Sequence, residues 1–180
     1  MRKAFFLSVL LPLAVAGAPA QKPQIDILFD QLHAAERPED AQPIAEKIDA
    51  LFRQSGSASV DLLMSRANAA LGQDDNKTAR KLLDAVTAIA PDYAEGWHAR
   101  ARMQQAANDD AGAMVSLQKA VRRNSRDFSA MSDLADMLED YGDKAGALKL
   151  YRRVMALDPQ MQDAARHVKS LTRDVEGQGI

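Results

Sequence analysis

The chain has 180 residues, of which 23 are basic, 25 are acidic and none is cysteine. The absence of cysteine excludes disulfide frameworks, thiolate zinc sites and thiol catalysis. A net charge of -2 disfavours nucleic acid as a partner, because phosphate binding needs a surplus of Lys and Arg. Alanine, the best helix former, supplies 33 residues, whereas aromatic residues make up 5% of the chain. Composition therefore predicts a single all-α domain.

Residues 1–20 have the order of a secretory signal peptide: two basic residues, an uncharged apolar run over 4–16, and the small residues Ala18 and Ala20. The run is shorter than the roughly 20 residues that span a membrane, which leaves an uncleaved anchor as the alternative. Cleavage before Gln21 predicts a soluble exported protein without stable membrane insertion, periplasmic in a Gram-negative cell. It is not a lipoprotein, because no cysteine can carry the lipid.

Small and larger apolar side chains recur every 34 residues along the rest of the chain. The recurring sets are Ala67/Ala101/Ala135, Ala79/Ala113/Ala147, Leu83/Leu117/Tyr151 and Val86/Ala120/Val154. Small residues let two paired helices approach closely, and larger ones fill the space between neighbouring hairpins. A period of 34 with two helices per unit is typical of tetratricopeptide repeats.

Proline and acidic residues mark the joints between the predicted units. Proline cannot continue a helix but fits its first turn, so Pro91 and Pro159 should end one hairpin and begin the next. Asp92 and Glu95 have the spacing of a capping box, and Asp158 is expected to cap the helix that follows it.

The period divides the chain into three regular units and two flanking segments. The units are 60–93, 94–127 and 128–161; residues 21–59 hold a linker and a degenerate repeat-like hairpin, and 162–180 hold a helix and a tail. A capping element with a polar outer face commonly covers each end of a repeat stack. We therefore expect the two flanking segments to be the N-terminal and C-terminal caps.

The strings PDYAEGW (91–97) and GDKAGALKLYRRVMALDP (142–159) resemble those of small exported bacterial proteins of the tetratricopeptide-repeat family. The resemblance covers residues 26–175. It implies an all-α solenoid of helix-turn-helix hairpins that forms a short right-handed superhelix with a concave groove. It implies no defined activity. The chain departs from the pattern at Arg66 and Arg100, where leucine is expected, and at Ser125 in place of proline.

Candidate chemical sites are few. His33, His98 and His167 are far apart, and none has a second ligand three or four residues further on, so we interpret them as solvated surface residues. The methionines lack copper-site spacing and are expected to fill packing gaps. We predict no metal and no other cofactor. No nucleophile elbow, P-loop or dinucleotide fingerprint occurs in the sequence, so the protein is not expected to be an enzyme.

Three further groups have two interpretations each. The acidic pairs beginning at Asp74 and Asp109 could suggest calcium ligands, but they lack the EF-hand glycine and distal Glu, and helix capping is preferred. Trp97 is expected to pack inside a hairpin, with partner contact as the alternative. The basic cluster of Arg122, Arg123 and Arg126 is interpreted as a solvated helix end, with an acidic partner as the alternative.

In the family, the first helix of each repeat lines the groove. The positions that the resemblance assigns to it are Asp61, Met64, Asn68, Leu71, Glu95, His98, Arg102, Gln105, Ser129, Ser132, Asp136 and Glu139. Each set of four lies on one helix face. The first unit offers an apolar patch, the second mixed charge and the third acid, without the family's Lys, Arg and Asn clamp for a C-terminal carboxylate. A partner with a basic or polar part and an apolar part would fit; a plain solvated face is the alternative.

The sequence therefore predicts an exported adaptor that binds a peptide or protein segment in its groove. The alternative is a structural or self-assembling module that docks onto a cell-envelope complex, and an oligomer is compatible with either.

Overall fold

The computed structural model describes residues 23–177, so the predicted signal peptide lies outside the described part of the chain. The described residues form nine α-helices and no strand, as the all-α prediction requires. The helices are α1 (Gln24–Ala34), α2 (Pro38–Phe52), α3 (Ala58–Leu71), α4 (Asn76–Ile89), α5 (Ala94–Ala106), α6 (Asp110–Arg123), α7 (Phe128–Asp140), α8 (Lys144–Leu157) and α9 (Gln162–Glu176). Within 23–177, none of them is long and apolar enough to cross a membrane.

The turns inside the three regular hairpins repeat one device. A left-handed residue, Asp74, Asn108 or Gly142, ends the first helix of the pair. An aspartate follows it, and its carboxylate accepts a hydrogen bond from the backbone N–H three residues on, as Asp75 does from Thr78. This satisfies one of the N–H groups that a helix start leaves unpaired. The capping interpretation of the acidic pairs is confirmed.

Two other predicted caps are wrong. Helix α5 begins after Tyr93 with no side-chain cap, and Glu95 points to His98 and Arg102 instead of back to the backbone of Asp92. Met161 occupies the N-cap position of α9 without a side-chain capping hydrogen bond, whereas Asp158 accepts the backbone N–H of Gln160 in the preceding turn. In both cases the proline introduces a short turn before the helix begins, which moves the acidic residue out of the capping position.

The hairpins α3–α4, α5–α6 and α7–α8 stack in chain order, and α9 packs on α8. The six alanines of the two recurring sets have no exposed surface, which confirms that they lie where paired helices touch. The buried side chains form two clusters. One joins α3, α4 and part of α5 around Val60, Leu83 and Met103. The other joins α5 to α9 and also includes the first two helices.

The N-terminal hairpin α1–α2 does not stack in front of α3, where the cap was expected. It packs on α8 and on the loops that precede α7 and α9. Phe29 meets Phe128 edge-on, with ring centroids 6.3 Å apart, and the Arg126 guanidinium lies 3.9 Å from the Phe29 centroid. Arg126 also pairs with Asp26 at 2.5 Å.

Leu62 shows that the front of α3 is uncovered. Its equivalents one and two periods later, Gly96 and Ala130, are buried, and Gly96 lies against Val86 of the preceding hairpin. Leu62 itself is 52% exposed. The hairpin leaves this face because its apolar side chains Phe29 and Leu32 find an aromatic and aliphatic surface at the α7–α8 end of the stack instead.

Candidate functional site

An open groove lies between α3 and α5. It contains two adjoining cavities of about 420 Å³ and 310 Å³. Six of the predicted groove residues line these cavities: Asp61, Met64, Asn68, Leu71, Glu95 and Arg102. The first helices of the first two units therefore face a common space, and we call this space the α3–α5 groove.

The predicted groove residues of the third unit are engaged within the chain. Glu139 accepts from His167 Nδ1 of α9 at 2.8 Å, and Asp136 accepts from the hydroxyl of Tyr151. Ser132 lies 3.6 Å from the sulfur of Met161. Ser129 lies 3.5 Å from the carboxylate of Asp49 on α2. Side chains of α2, α8 and α9 thus engage Ser129, Asp136 and Glu139 of the surface that the sequence assigned to a partner, although Asp136 stays exposed.

Gln105 is half-buried on α5 and lines neither cavity of the α3–α5 groove.

Arg53 lines both cavities of the groove, although it follows the end of α2. The hydroxyl of Tyr93 donates to the backbone carbonyl of Arg53 at 2.7 Å and holds this part of the chain beside α5. Sequence reasoning missed Arg53, because nothing in the local sequence indicates that the first hairpin folds back onto the second and third repeats.

His98 is a buried residue, so its interpretation as a solvated histidine is wrong. Only 4% of it is exposed, and its Nε2 lies 2.7 Å from Asp133 Oδ2 on α7. Its Nδ1 lies 3.4 Å from Glu95 Oε2, and the other oxygen of Glu95 accepts from Arg102 at 2.9 Å. Burial lowers the pKa of His98, but the carboxylates of Asp133 beside Nε2 and of Glu95 beside Nδ1 outweigh it and raise the pKa to about 9. The sequence did contain one indication that His98 is paired and not solvated, namely Glu95, which lies one helical turn before it.

Two more carboxylates face this histidine. Asp127 is 3% exposed, and one of its oxygens accepts from the backbone N–H of Ala130 at 2.9 Å. The second carboxylate is that of Asp49 on α2. Burial is the main reason that its pKa is raised to about 6, and the negative charge of Asp127 adds to the effect. A cavity of about 90 Å³ lies among these groups. We call Asp49, Glu95, His98, Asp127 and Asp133 the His98 cluster.

The remaining candidates have partners inside the chain. Trp97 is half-buried, donates from Nε1 to the carbonyl of Pro91 at 2.9 Å and carries the Lys119 ammonium 4.0 Å from its ring centroid. This confirms packing as its role in the fold. The basic cluster pairs with acidic groups of this chain: Arg123 lies 3.3 Å from Asp92, and Arg126 pairs with Asp26 of the first hairpin.

No family model matches the chain. A TPR repeat-containing protein of Rhizobium etli is 31% identical over 161 residues, which cover 89% of this chain and 79% of the relative. The relative therefore shares the repeat region and most of the rest of the chain.

Solved structures share the fold. The first TPR of Spaghetti, bound to the HSP90 peptide SRMEEVD, has a TM-score of 0.59 and 19% identity over 65% of this chain and 93% of that one. The Yersinia enterocolitica type III secretion chaperone SycD, in complex with a peptide of the translocator YopD, has a TM-score of 0.57 and 16% identity over 67% and 94%. A MamA structure has a TM-score of 0.60 and 14% identity over 83% and 85%. At these identities the likeness concerns the fold alone.

Proposed function

The chain belongs to the tetratricopeptide-repeat family, and from this premise we propose that it is a scaffold that binds a peptide or protein segment in the α3–α5 groove. The observation that carries the proposal is the groove itself. It adjoins a buried apolar core and exposes polar side chains from two repeats. Such a combination of an apolar floor and a few polar groups is what recognition sites present.

The lining of the groove defines the chemistry of the segment. Leu71 and Met64 offer apolar contact. The groove presents hydrogen-bond donors and acceptors side by side: donors on Arg53, Arg102 and Asn68, and carboxylate acceptors on Asp61, Asp74 and Glu95. The acidic side chains of the third unit are already bonded to Tyr151 and His167. We therefore favour a segment with an apolar part and a polar part that both donates and accepts hydrogen bonds, which is the polar version of the partner that the sequence suggested.

Two of the structural relatives support a peptide ligand. Spaghetti and SycD are described as complexes with peptides. This chain has the same kind of repeat fold. Its first hairpin ends beside the repeats, so that Arg53, which lies outside them, also lines the groove.

Selection of a displayed random-peptide library on residues 21–180 tests the proposal without a known partner. We expect an enriched peptide motif whose affinity falls about fivefold to thirtyfold in Asn68→Ala and in Arg102→Ala, because central polar contacts of an interface dominate binding. Arg122→Ala, exposed on α6, is the matched control and should bind as the parent does. A selection without enrichment, or a motif that all three variants bind equally, would refute the groove as the binding site.

Export is a separate part of the proposal. The order of residues 1–20 supports a mature protein that begins near Gln21 and acts outside the cytoplasm, in the periplasm of a Gram-negative cell. N-terminal sequencing of the protein from a periplasmic extract should give a start at or near Gln21. Intact Met1 in the cytoplasmic fraction would contradict export.

A further inference from the structure

Three potential metal ligands of the His98 cluster converge from two elements. Glu95 and His98 lie one turn apart on α5, and Asp127 precedes α7. Their ligating atoms all lie within 4.8 Å of one another. Each residue is more than nine-tenths buried. We propose that Glu95, His98 and Asp127 bind one divalent transition-metal cation such as Zn²⁺, and that Asp49 of α2, which lines the same cavity outside this group of three, moves in as the fourth ligand.

The spacing of the atoms suits such an ion. A tetrahedral Zn²⁺ with ligands at about 2.0–2.1 Å separates neighbouring ligand atoms by about 3.4 Å. His98 Nδ1 lies 3.4 Å from Glu95 Oε2, which is longer than an ordinary N–H···O hydrogen bond. The cavity of about 90 Å³ at the same place is lined by Asp49, Glu95, His98 and Asp127 among others, and it has room for an ion and a water molecule.

Neighbouring groups already orient the ligands. His98 Nε2 lies 2.7 Å from Asp133, so this nitrogen keeps its proton and Nδ1 is left to face the cavity. A histidine held by a carboxylate through its second nitrogen is the usual arrangement around protein-bound metals. Arg102 engages one oxygen of Glu95, and the Ala130 N–H engages one oxygen of Asp127. Each carboxylate therefore keeps its second oxygen for a cation.

The charge count favours a divalent ion over the proton. Three carboxylates, those of Asp49, Glu95 and Asp127, line the cavity together with Arg53 and Arg102, and Asp133 adds a fourth carboxylate on the far side of the His98 ring. A protonated His98 leaves one negative charge in excess. A divalent cation that replaces the proton at Nδ1 brings the sum to zero, and buried charge is least costly when it is balanced. Imidazole and carboxylate ligands together suit divalent cations of intermediate softness such as Zn²⁺.

Asp49 gives the site a structural consequence. It belongs to the N-terminal hairpin, whereas the other ligands belong to the repeats. A bound cation would therefore tie the hairpin to the repeats. The site adjoins the α3–α5 groove and shares Glu95 with it, but Asn68 lines only the groove and Asp49 lines only the metal cavity. Asn68→Ala and Asp49→Asn therefore let either proposal fail alone.

The test is the addition of ZnCl₂ to metal-free protein. Calorimetry measures binding, thermal denaturation measures the Tm, and hydrogen exchange measures local protection. We expect one equivalent to bind, the Tm to rise and residues 24–52 to exchange more slowly. Asp49→Asn and Glu95→Gln should each weaken Zn²⁺ binding at least tenfold. Asp49→Asn is the decisive variant, because it removes one of two facing carboxylates and should fold without metal. The visible spectrum of the Co²⁺-substituted protein reports ligand geometry and should show tetrahedral coordination.

The other histidines supply the matched controls. His33 is exposed, and His167 pairs with Glu139 on α9. His33→Gln and His167→Gln should leave Zn²⁺ affinity unchanged. The proposal is overturned if no stoichiometric binding occurs, if Asp49→Asn binds Zn²⁺ as tightly as the parent, or if either control abolishes binding.

Discussion

The regular repeats and the N-terminal hairpin are held in place by contacts of different range. In α3–α8 the two helices of each hairpin meet at alanines that recur every 34 residues, and each hairpin packs against its neighbours in the chain. The hairpin α1–α2 is held by residues about a hundred positions away: Asp26 pairs with Arg126, and His33 bonds to the carbonyl of Ala156. A periodic pattern specifies neighbours, whereas the hairpin is placed by whichever distant surface fits its apolar face.

The comparison also separates two kinds of site. The α3–α5 groove is lined mainly by repeat residues at predicted positions. The His98 cluster needs Asp49, and the groove gains Arg53, only because the hairpin folds back. Variants that release the hairpin should therefore change the cluster and leave the stacking of the repeats intact.

Phe29→Ala should have the largest effect. Phe29 is 4% exposed and contacts Phe52, Phe128 and Arg126, so its truncation should cost about 3–5 kcal/mol of unfolding free energy. Hydrogen exchange should accelerate in residues 24–52 more than in α3–α6. Ile27→Ala, a change at a 44% exposed position of the same helix, is the control and should change little. Equal effects would mean that the hairpin is not docked through Phe29.

His98→Gln in chelator-treated protein should cost about 3 kcal/mol at pH 6.5, because it leaves the buried Glu95 without the positive charge of the imidazolium. The folded pKa of about 9 lies above the ordinary 6.5. The contribution of His98 to stability is therefore fully present below about pH 6.5 and is lost as the pH rises through about 9. Denaturation of parent and variant across this range should show converging stabilities. Parallel curves would contradict a charged, buried His98.

Ala135→Leu should cost about 1–3 kcal/mol, since Ala135 has no exposed surface and lies where α7 meets α8. Urea denaturation measures the loss. Ala145→Leu adds the same side chain at an exposed position of α8 and should be nearly neutral. An unchanged denaturation midpoint for Ala135→Leu would mean that the repeat register is wrong.

Asp49→Asn should change stability least of the four variants, and it should stabilise the protein where the other three destabilise it. The folded pKa of Asp49, about 6, lies above the ordinary 3.8, so its favourable contribution is present below 3.8 and lost as the pH rises through about 6. At pH 7 in chelator, the variant should melt about 2–4 °C higher than the parent. At pH 3.5 it should show no gain. Glu46→Gln, an exposed change on the same helix, controls for net charge.

The parts of the fold that the sequence predicted are those that depend on near neighbours. The buried alanines and the Asp75 and Asp109 caps follow from a period and from local hydrogen bonding. The burial of His98 depends on Asp133, 35 residues later, and no property of His98 alone distinguishes it from a surface histidine. Likewise, Asp136 and Glu139 have groove spacing, but Tyr151 and His167 engage them.

A designed disulfide tests the central claim most directly, namely that the hairpin docks beside α7 and not in front of α3. The natural chain has no cysteine, so introduced thiols pair only with each other. Asp49 and Ser129 approach to 3.5 Å between side-chain oxygens, and Leu62 marks the uncovered front of α3. Mild oxidation of Asp49→Cys/Ser129→Cys should give an intramolecular disulfide in the monomer, while Asp49→Cys/Leu62→Cys should stay reduced. The reverse result would contradict the account.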